Sequence, residues 1–491
     1  MMATRTYWKY AVIASLMLLA LYGLTYRGTI GVIDEATMLA VTSSFVERGT
    51  LALNELYPAL LPWGAPVPFG PPGELLYARY GLGQSLLALP LYVAGGWLPI
   101  GGTFALNGYP FAPYGPFFAA LLLNSGATVL AALAVACAAR ALGYSPRVGG
   151  LAALLYGVTT LAWPYAKTFY SGPTAASALA WMVCFAIRYQ RHGRTRDGTL
   201  AGATLGLGIL LRPINVLVIP ALFLYLLTPA DWRDPRAVLR RWLAPGVFTA
   251  LGLAGQLWYN VYRFGRPFAT GYESGLRLAP WEGWLGFLVS PGRSVFLYNP
   301  VLLLAIPGAL MLFRRARRET LLLLVVSLGH PFAYGFWHEW HAGQSLGPRY
   351  LLPALPLLML LVVPVLARMS EQRWRWAVIG LGTLGFLVQA FANLANPNDT
   401  FYESVSREGL PIALFNWRVS HSFLVRQWPT YLRHDIDSIL LRQLPLADPY
   451  LLAGLYFALV CAIAATLTRV ILYFPEEQVG RYVQLPFDSM V

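Results

Sequence analysis

The feature that most constrains this chain is a succession of apolar runs along its whole length, at 10–26, 116–138, 147–162, 173–188, 198–211, 214–228, 242–259, 295–313, 319–336, 350–367, 376–394 and 450–474. Crossing a hydrocarbon layer of roughly 30 Å takes about 20 helical residues, and most of these runs reach or approach that length. With 57% hydrophobic and only 12% charged residues, the chain lacks the polar surface a soluble domain would need. The expected fold is an all-α polytopic membrane protein, a bundle of about twelve spans. The run 10–26 has no small-residue cleavage site after it and reads as a retained first span.

The net charge of +14 could suggest a nucleic-acid partner, but its distribution excludes that reading. Basic clusters at 188–196, 232–241, 314–318 and 368–375 fall between apolar runs, the positive-inside pattern of cytoplasmic loops. Arg5 and Lys9 precede the first span, so the N-terminus is expected in the cytoplasm of a multi-pass protein of the cell membrane. The parity of the clusters holds only if 84–97 does not cross. That stretch is short, contains Pro90, Gly95 and Gly96, and reads as re-entrant or interfacial. A long external loop, 27–115, results, containing interfacial helices. Residues 1–394 then form one transmembrane module, 395–449 an external tail loop, and 450–491 a last span with a short cytoplasmic tail. The short runs 198–211 and 214–228 meet at Arg212-Pro213 as a broken pair. Cys137, Cys184 and Cys461 all lie in apolar runs, which argues against a disulfide framework or thiolate metal site.

Apart from Glu319 at the very start of 319–336, no Asp or Glu falls inside an expected span. Ion-coupled transporters keep costly intramembrane acids as relays, so chemistry at the membrane boundary is the better expectation. The first external acids are Asp34 and Glu35, in "GVIDEATMLA", just after the first span. An isolated pair there reads as a solvated helix cap. Here it opens a long loop rich in Tyr, Trp and Pro.

That layout resembles the GT-C superfamily of membrane glycosyltransferases, among them protein O-mannosyltransferases and the lipid A aminoarabinose transferase. The resemblance continues through "YARYGLGQSLLALPLY" (77–92), "TLAWPYAKTFYSGPTAASALAW" (160–181), "GLGILLRPINVLVIPAL" (206–222), "SPGRSVFLYNPVLLL" and "GQSLGPRYLLPALPLLML". It implies a polyprenyl-phosphate-linked sugar as donor and a lipid, glycan or protein as acceptor, with membrane lipids around it. Asp34 matches the family's essential acid and would act as general base, with inversion; Glu35 would orient it or contact the sugar. Tyr80 and Glu74 are further substrate candidates. Many members carry an acid after the third external turn, where this chain has Ser171-Gly172-Pro173. The role of that acid has moved or is missing.

A departing phosphate needs cationic groups. Arg79, Lys167, Arg212, Arg293 and Arg349 lie at or near external span ends, with Tyr350 beside Arg349. Each equally fits ordinary snorkelling to headgroups. "WHEWHAG" offers His338, Glu339 and His341; two His three apart on a helix suit a divalent metal such as Mg or Mn, and a sugar-facing wall fits as well. The tail loop is expected to lid the cavity or help select the acceptor. Two other classes of protein fit the composition: a transporter or flippase of lipid-linked glycans, and a non-catalytic protein of the same fold.

Overall fold

The computed structural model describes residues 2–63, 68–69, 75–272, 275–276, 279–434, 436–445 and 448–473. Glu74 and the chain beyond 473 lie outside them. The protein is mostly helical, and every apolar run read from the sequence falls on a helix or an interrupted helix pair. Its helices include α1 Met2–Leu24, α2 Ile33–Arg48, α3 Gly83–Gly95, α4 Leu123–Ala141, α5 Pro146–Thr159, α6 Ser171–His192, α7 Thr195–Leu211, α8 Val218–Leu226, α9 Pro235–Phe264, α10 Ala305–Arg315, α11 Arg317–Gly335, α12 Leu355–Leu366, α13 Gln372–Ala392 and α14 Pro449–Tyr473. Among the described residues, four segments are long and apolar enough to cross a membrane by length and composition: Tyr114–Ala141, Arg349–Leu366, Gln372–Ala392 and Pro449–Thr466. Several other runs are divided where the sequence cannot continue an α-helix. Arg212 is extended (φ −145°, ψ 109°), as a residue before proline should be, and a 3₁₀ turn, Pro213–Leu217, separates α7 from α8.

Helices α4, α6, α7 and α9 pack in succession, each against the next. Gly198, Gly202 and Gly206 repeat at four-residue spacing and present one bare face of α7. A Cβ at Gly206 would stand 2.6 Å from the Phe248 carbonyl oxygen, and one at Gly202 would stand 2.0 Å from that of Pro245. The two backbones therefore touch, as small-residue helix contacts in membranes allow.

The connection 27–115 has an apolar core, including Leu39, Leu53, Leu60, Tyr92 and Phe111, which Phe117 of the next helix joins. Helix α3 takes up most of the stretch 84–97; its 13 residues span about 20 Å. Helix α2 is enclosed along most of its length. Glu35 through Ser44 are all buried, because α3 lies against it. Two short hairpins complete the connection, Pro68–Phe69 with Tyr77–Ala78 and Thr103–Leu106 with Tyr109–Pro113; the second pairs Leu106 with Tyr109 across its turn and shifts register between Phe104 and Ala105.

The segment 395–449 folds into short helices that dock where α1 ends. Ile439 N–H donates to the Tyr26 carbonyl (2.9 Å) and Ser438 Oγ to that of Leu24 (2.7 Å). Buried Asp437 pairs with Lys167 Nζ (2.7 Å) and Arg27 Nε (3.1 Å). Burial alone would raise the Asp437 carboxyl, but the two cations hold it down to about 2.

Candidate active site

Asp34 and Glu35 occupy the first turn of α2, yet neither is its N-cap; that position is Val32. A turn of helix points consecutive side chains about 100° apart, and the two carboxylates separate accordingly. Glu35 is 1% exposed. Its Oε2 accepts from Gly31 N–H (2.8 Å) and its Oε1 from Phe169 N–H (3.1 Å), with Arg27 Nη1 at 3.9 Å. Burial raises this carboxyl above its ordinary range, while Arg27 and the two N–H groups oppose that. Asp34 has a side chain 20% exposed and lines a cavity of about 600 Å³.

Inside that cavity Asp34 Oδ1 accepts from Tyr80 Oη (2.7 Å) and Oδ2 from Arg349 Nη1 (2.9 Å). Burial and the carboxylate beside it push the Tyr80 phenol well up, so it stays a donor. Arg79, Arg212 and Arg349 all line the same cavity. Arg79 lies 4.7 Å over the Tyr272 ring, and Arg349 lies 4.2 Å over that of Tyr170. Tyr350 stacks on Tyr334 at 4.2 Å. Arg212 Nε donates to Ser171 Oγ (3.2 Å), so the serine of "SGP" sits in the cavity wall. Each arginine keeps one buried nitrogen without a partner among the described residues: Arg79 Nε, Arg212 Nη1 and Arg349 Nε. Buried N–H groups demand acceptors, and three guanidinium cations lining one cavity suit an anion.

Other residues singled out in the sequence go elsewhere. Lys167 points away, held by Asp437 and by the carbonyls of Asn393 and Asp437 itself; burial lowers its ammonium to about 8 despite Asp437. Arg293 spreads its guanidinium over the carbonyls of Gly343, Ser345 and Gly347 and over Asn416 Oδ1. Burial lowers it to about 10. Both cations fasten loops together, and neither lines the cavity. The stretch 337–341 is a turn, not the helix a two-histidine metal site would need. His338 Nδ1 faces the Gly275 carbonyl (3.2 Å), and His341 Nδ1 accepts from Gly343 N–H (3.0 Å). Among the described residues, no three His, Cys, Asp or Glu side chains gather as a metal would require. Glu339 does line the cavity and is exposed at its surface. No described residue of 395–449 lines it.

The sequence reading missed Gln256, Asn260 and Arg263, a polar row on α9 that lines the cavity, and the aromatic residues Tyr170, Tyr272 and Tyr334. The row had a legible signal. Its spacing, i, i+4 and i+7, is one helix face, starting with Gln256 inside the apolar run 242–259 and continuing past its end.

The helices also order the cavity relative to charge. Ser171, Leu211, Gln256 and Tyr334 line it at one end of α6, α7, α9 and α11. The basic clusters at 188–196, 232–241 and 314–318 occupy the opposite ends of the same helices.

Residues 115–258 match the family model described as dolichyl-phosphate-mannose-protein mannosyltransferase. No curated protein sequence matches the chain significantly. Among solved structures, ArnT from Cupriavidus metallidurans bound to undecaprenyl phosphate is similar with a TM-score of 0.50 and 16% identity, over 86% of this chain and 75% of that one. The same protein in its apo state gives 0.47 and 13%, over 96% and 78%. The apo oligosaccharyltransferase of Archaeoglobus fulgidus gives 0.47 and 13%, over 82% of this chain and 58% of that one.

Proposed function

We propose, for a chain that shares the fold of the GT-C membrane glycosyltransferases and carries the mannosyltransferase family segment, that it transfers a sugar from a polyprenyl monophosphate to an acceptor on the non-cytoplasmic face. The observation that carries this reading is the convergence on Asp34 of cations from distant parts of the chain. Arg79, Arg212 and Arg349 share its cavity, each with an unpartnered N–H among the described residues. A phosphate bearing a sugar matches that set of donors, and polyprenyl phosphate is the ligand of the ArnT crystal structure. The sidedness follows from the basic clusters at the helix ends opposite the cavity, which the positive-inside rule assigns to the cytoplasm.

In the proposed reaction Asp34 removes the acceptor's hydroxyl proton as its oxygen attacks the anomeric carbon from the face opposite the phosphate. The anomeric carbon–oxygen bond breaks, its electron pair leaves with the polyprenyl phosphate, and the configuration inverts. The arginines stabilise the charge that builds on the leaving oxygen. The Asp34–Arg349 contact gives this a sequence in time. While Arg349 and Tyr80 both hold the carboxylate, each of its oxygens already accepts a hydrogen bond. A phosphate that draws Arg349 toward itself leaves Asp34 freer to take a proton. Glu35 supports Asp34 by holding Gly31, just before α2, and Phe169, in the turn before α6. The test is incubation of the purified protein with polyprenyl-phosphate sugars and membrane extract. Release of polyprenyl phosphate that needs both the extract and Asp34 supports the reading; release unaffected by Asp34→Asn contradicts it.

A further inference from the structure

The polar row on α9 has a fixed hydrogen-bond polarity. Arg263 can only donate. Its Nη1 bonds the carbonyls of Ala78 (2.5 Å) and Tyr80 (3.0 Å), and its Nη2 donates to Asn260 Oδ1 (2.8 Å). Asn260 Nδ2 in turn donates to the Pro267 carbonyl (2.8 Å). The Asn260 amide is thereby locked, oxygen toward Arg263 and nitrogen toward the carbonyl. The group of Gln256 that meets this oxygen must be a donor, and Nε2 does so at 2.9 Å. Gln256 Oε1 is the atom left over. It belongs to a residue 3% exposed that lines the cavity, and it has no partner among the described residues. A buried amide oxygen without a donor is costly, and the network denies it the option of rotating to present the nitrogen instead.

We propose that Gln256 is a sugar-recognition residue, its Oε1 accepting a hydrogen bond from one ring hydroxyl or amino group of the transferred sugar. This rests on the glycosyltransferase reading and deepens it. The row is joined to the reacting carboxylate through one residue: Arg263 holds the Tyr80 carbonyl, and the Tyr80 hydroxyl holds Asp34. The subsite therefore selects a neutral or cationic sugar that offers a donor. A sugar bearing a carboxylate at that carbon is disfavoured, because two acceptors would face each other. Selectivity from such a site is large, since a sugar without the group leaves the oxygen buried and unpaired.

The test uses the full-length protein with polyprenyl-phosphate mannose, glucose, galactose and arabinose, followed by the monodeoxy analogues of the sugar turned over. With the wild type, one deoxy position should lower kcat/KM by roughly 10–100-fold, the effect of one unpaired buried acceptor. Gln256→Met, similar in size but with no strong acceptor, should lose the same factor on the parent sugar and treat that analogue like the parent. Binding of sugar-free polyprenyl phosphate should be unchanged in the variant, which verifies its fold. Equal discrimination by the variant and the wild type overturns the proposal. A flat deoxy series with the wild type overturns it without any variant. Failure of the wild type to turn over any donor overturns the glycosyltransferase reading and this inference with it.

Discussion

Arg349 Nη1 donates to Asp34 Oδ2 at 2.9 Å, joining residues 315 positions apart across the cavity. On the proposed reading the arginine exchanges this carboxylate for the donor phosphate. Arg349→Gln and Arg212→Gln should each weaken binding of polyprenyl phosphate by roughly 10–100-fold, the range for a lost charge-assisted hydrogen bond. Equilibrium binding of the sugar-free lipid phosphate measures this directly. Unchanged affinity in both variants would remove the arginines from the donor site.

Asp437 ties the segment 395–449 to the exit of α1 and to the turn before α6 through Arg27 and Lys167. All three side chains are at most 2% exposed, so Asp437→Asn leaves two buried cations short of an anion. The expected loss is about 3–5 kcal/mol at neutral pH. The pH dependence has a definite sign. The Asp437 carboxyl is held at about 2 in the folded protein against about 3.9 unfolded, so the unfolded chain binds its proton first. Its stabilisation is fully present above pH ~4 and is lost as pH falls through ~2. Thermal melts between pH 5 and 2 should show a fall in the wild type that is smaller in Asp437→Asn; parallel curves would contradict the assignment.

Sidedness is testable through the second hairpin. Ala105 is exposed on its first strand. In a background without Cys461, Ala105→Cys should react with an impermeant maleimide added outside intact cells. The control is Arg194→Cys, at a position that is also exposed and lies in a basic cluster; it should react only after the membrane is opened. Protection of position 105 would put the cavity on the other face.

How much of this could be read from sequence depends on what each residue binds. Asp34, Arg79, Tyr80, Arg212, Arg349 and Tyr350 were legible because a charged or aromatic residue at the end of an apolar run has few uses, and all six line one cavity. Lys167 and Arg293 satisfy the same criterion and lie elsewhere. The partner of Lys167 is 270 positions away, and Arg293 is held mostly by backbone carbonyls, which leave no mark on a sequence. The twelve apolar runs foretold the helices, but not where Pro213 and similar breaks divide them. Gln256 escaped notice because an uncharged amide in an apolar run has no obvious role until the orientation of its neighbour is known.

The contrast between the adjacent acids follows from their geometry. Glu35→Gln keeps one acceptor oxygen for the N–H groups of Gly31 and Phe169, so its effect should fall mainly on stability, with a smaller loss of turnover than at Asp34. Turnover lost completely in Glu35→Gln, with a normal melting temperature, would exchange the two roles.

The most direct measurement is single-turnover transfer from a polyprenyl-phosphate sugar by Asp34→Asn beside the wild type, with lipid-phosphate binding measured on the same samples. Asparagine keeps the shape and can still accept from Tyr80, but it cannot take the acceptor's proton. The account predicts a rate lower by about 10²–10⁴-fold, the usual contribution of a general base, with lipid-phosphate affinity unchanged or tighter because Arg349 is released. A wild-type rate in a folded Asp34→Asn protein would contradict it.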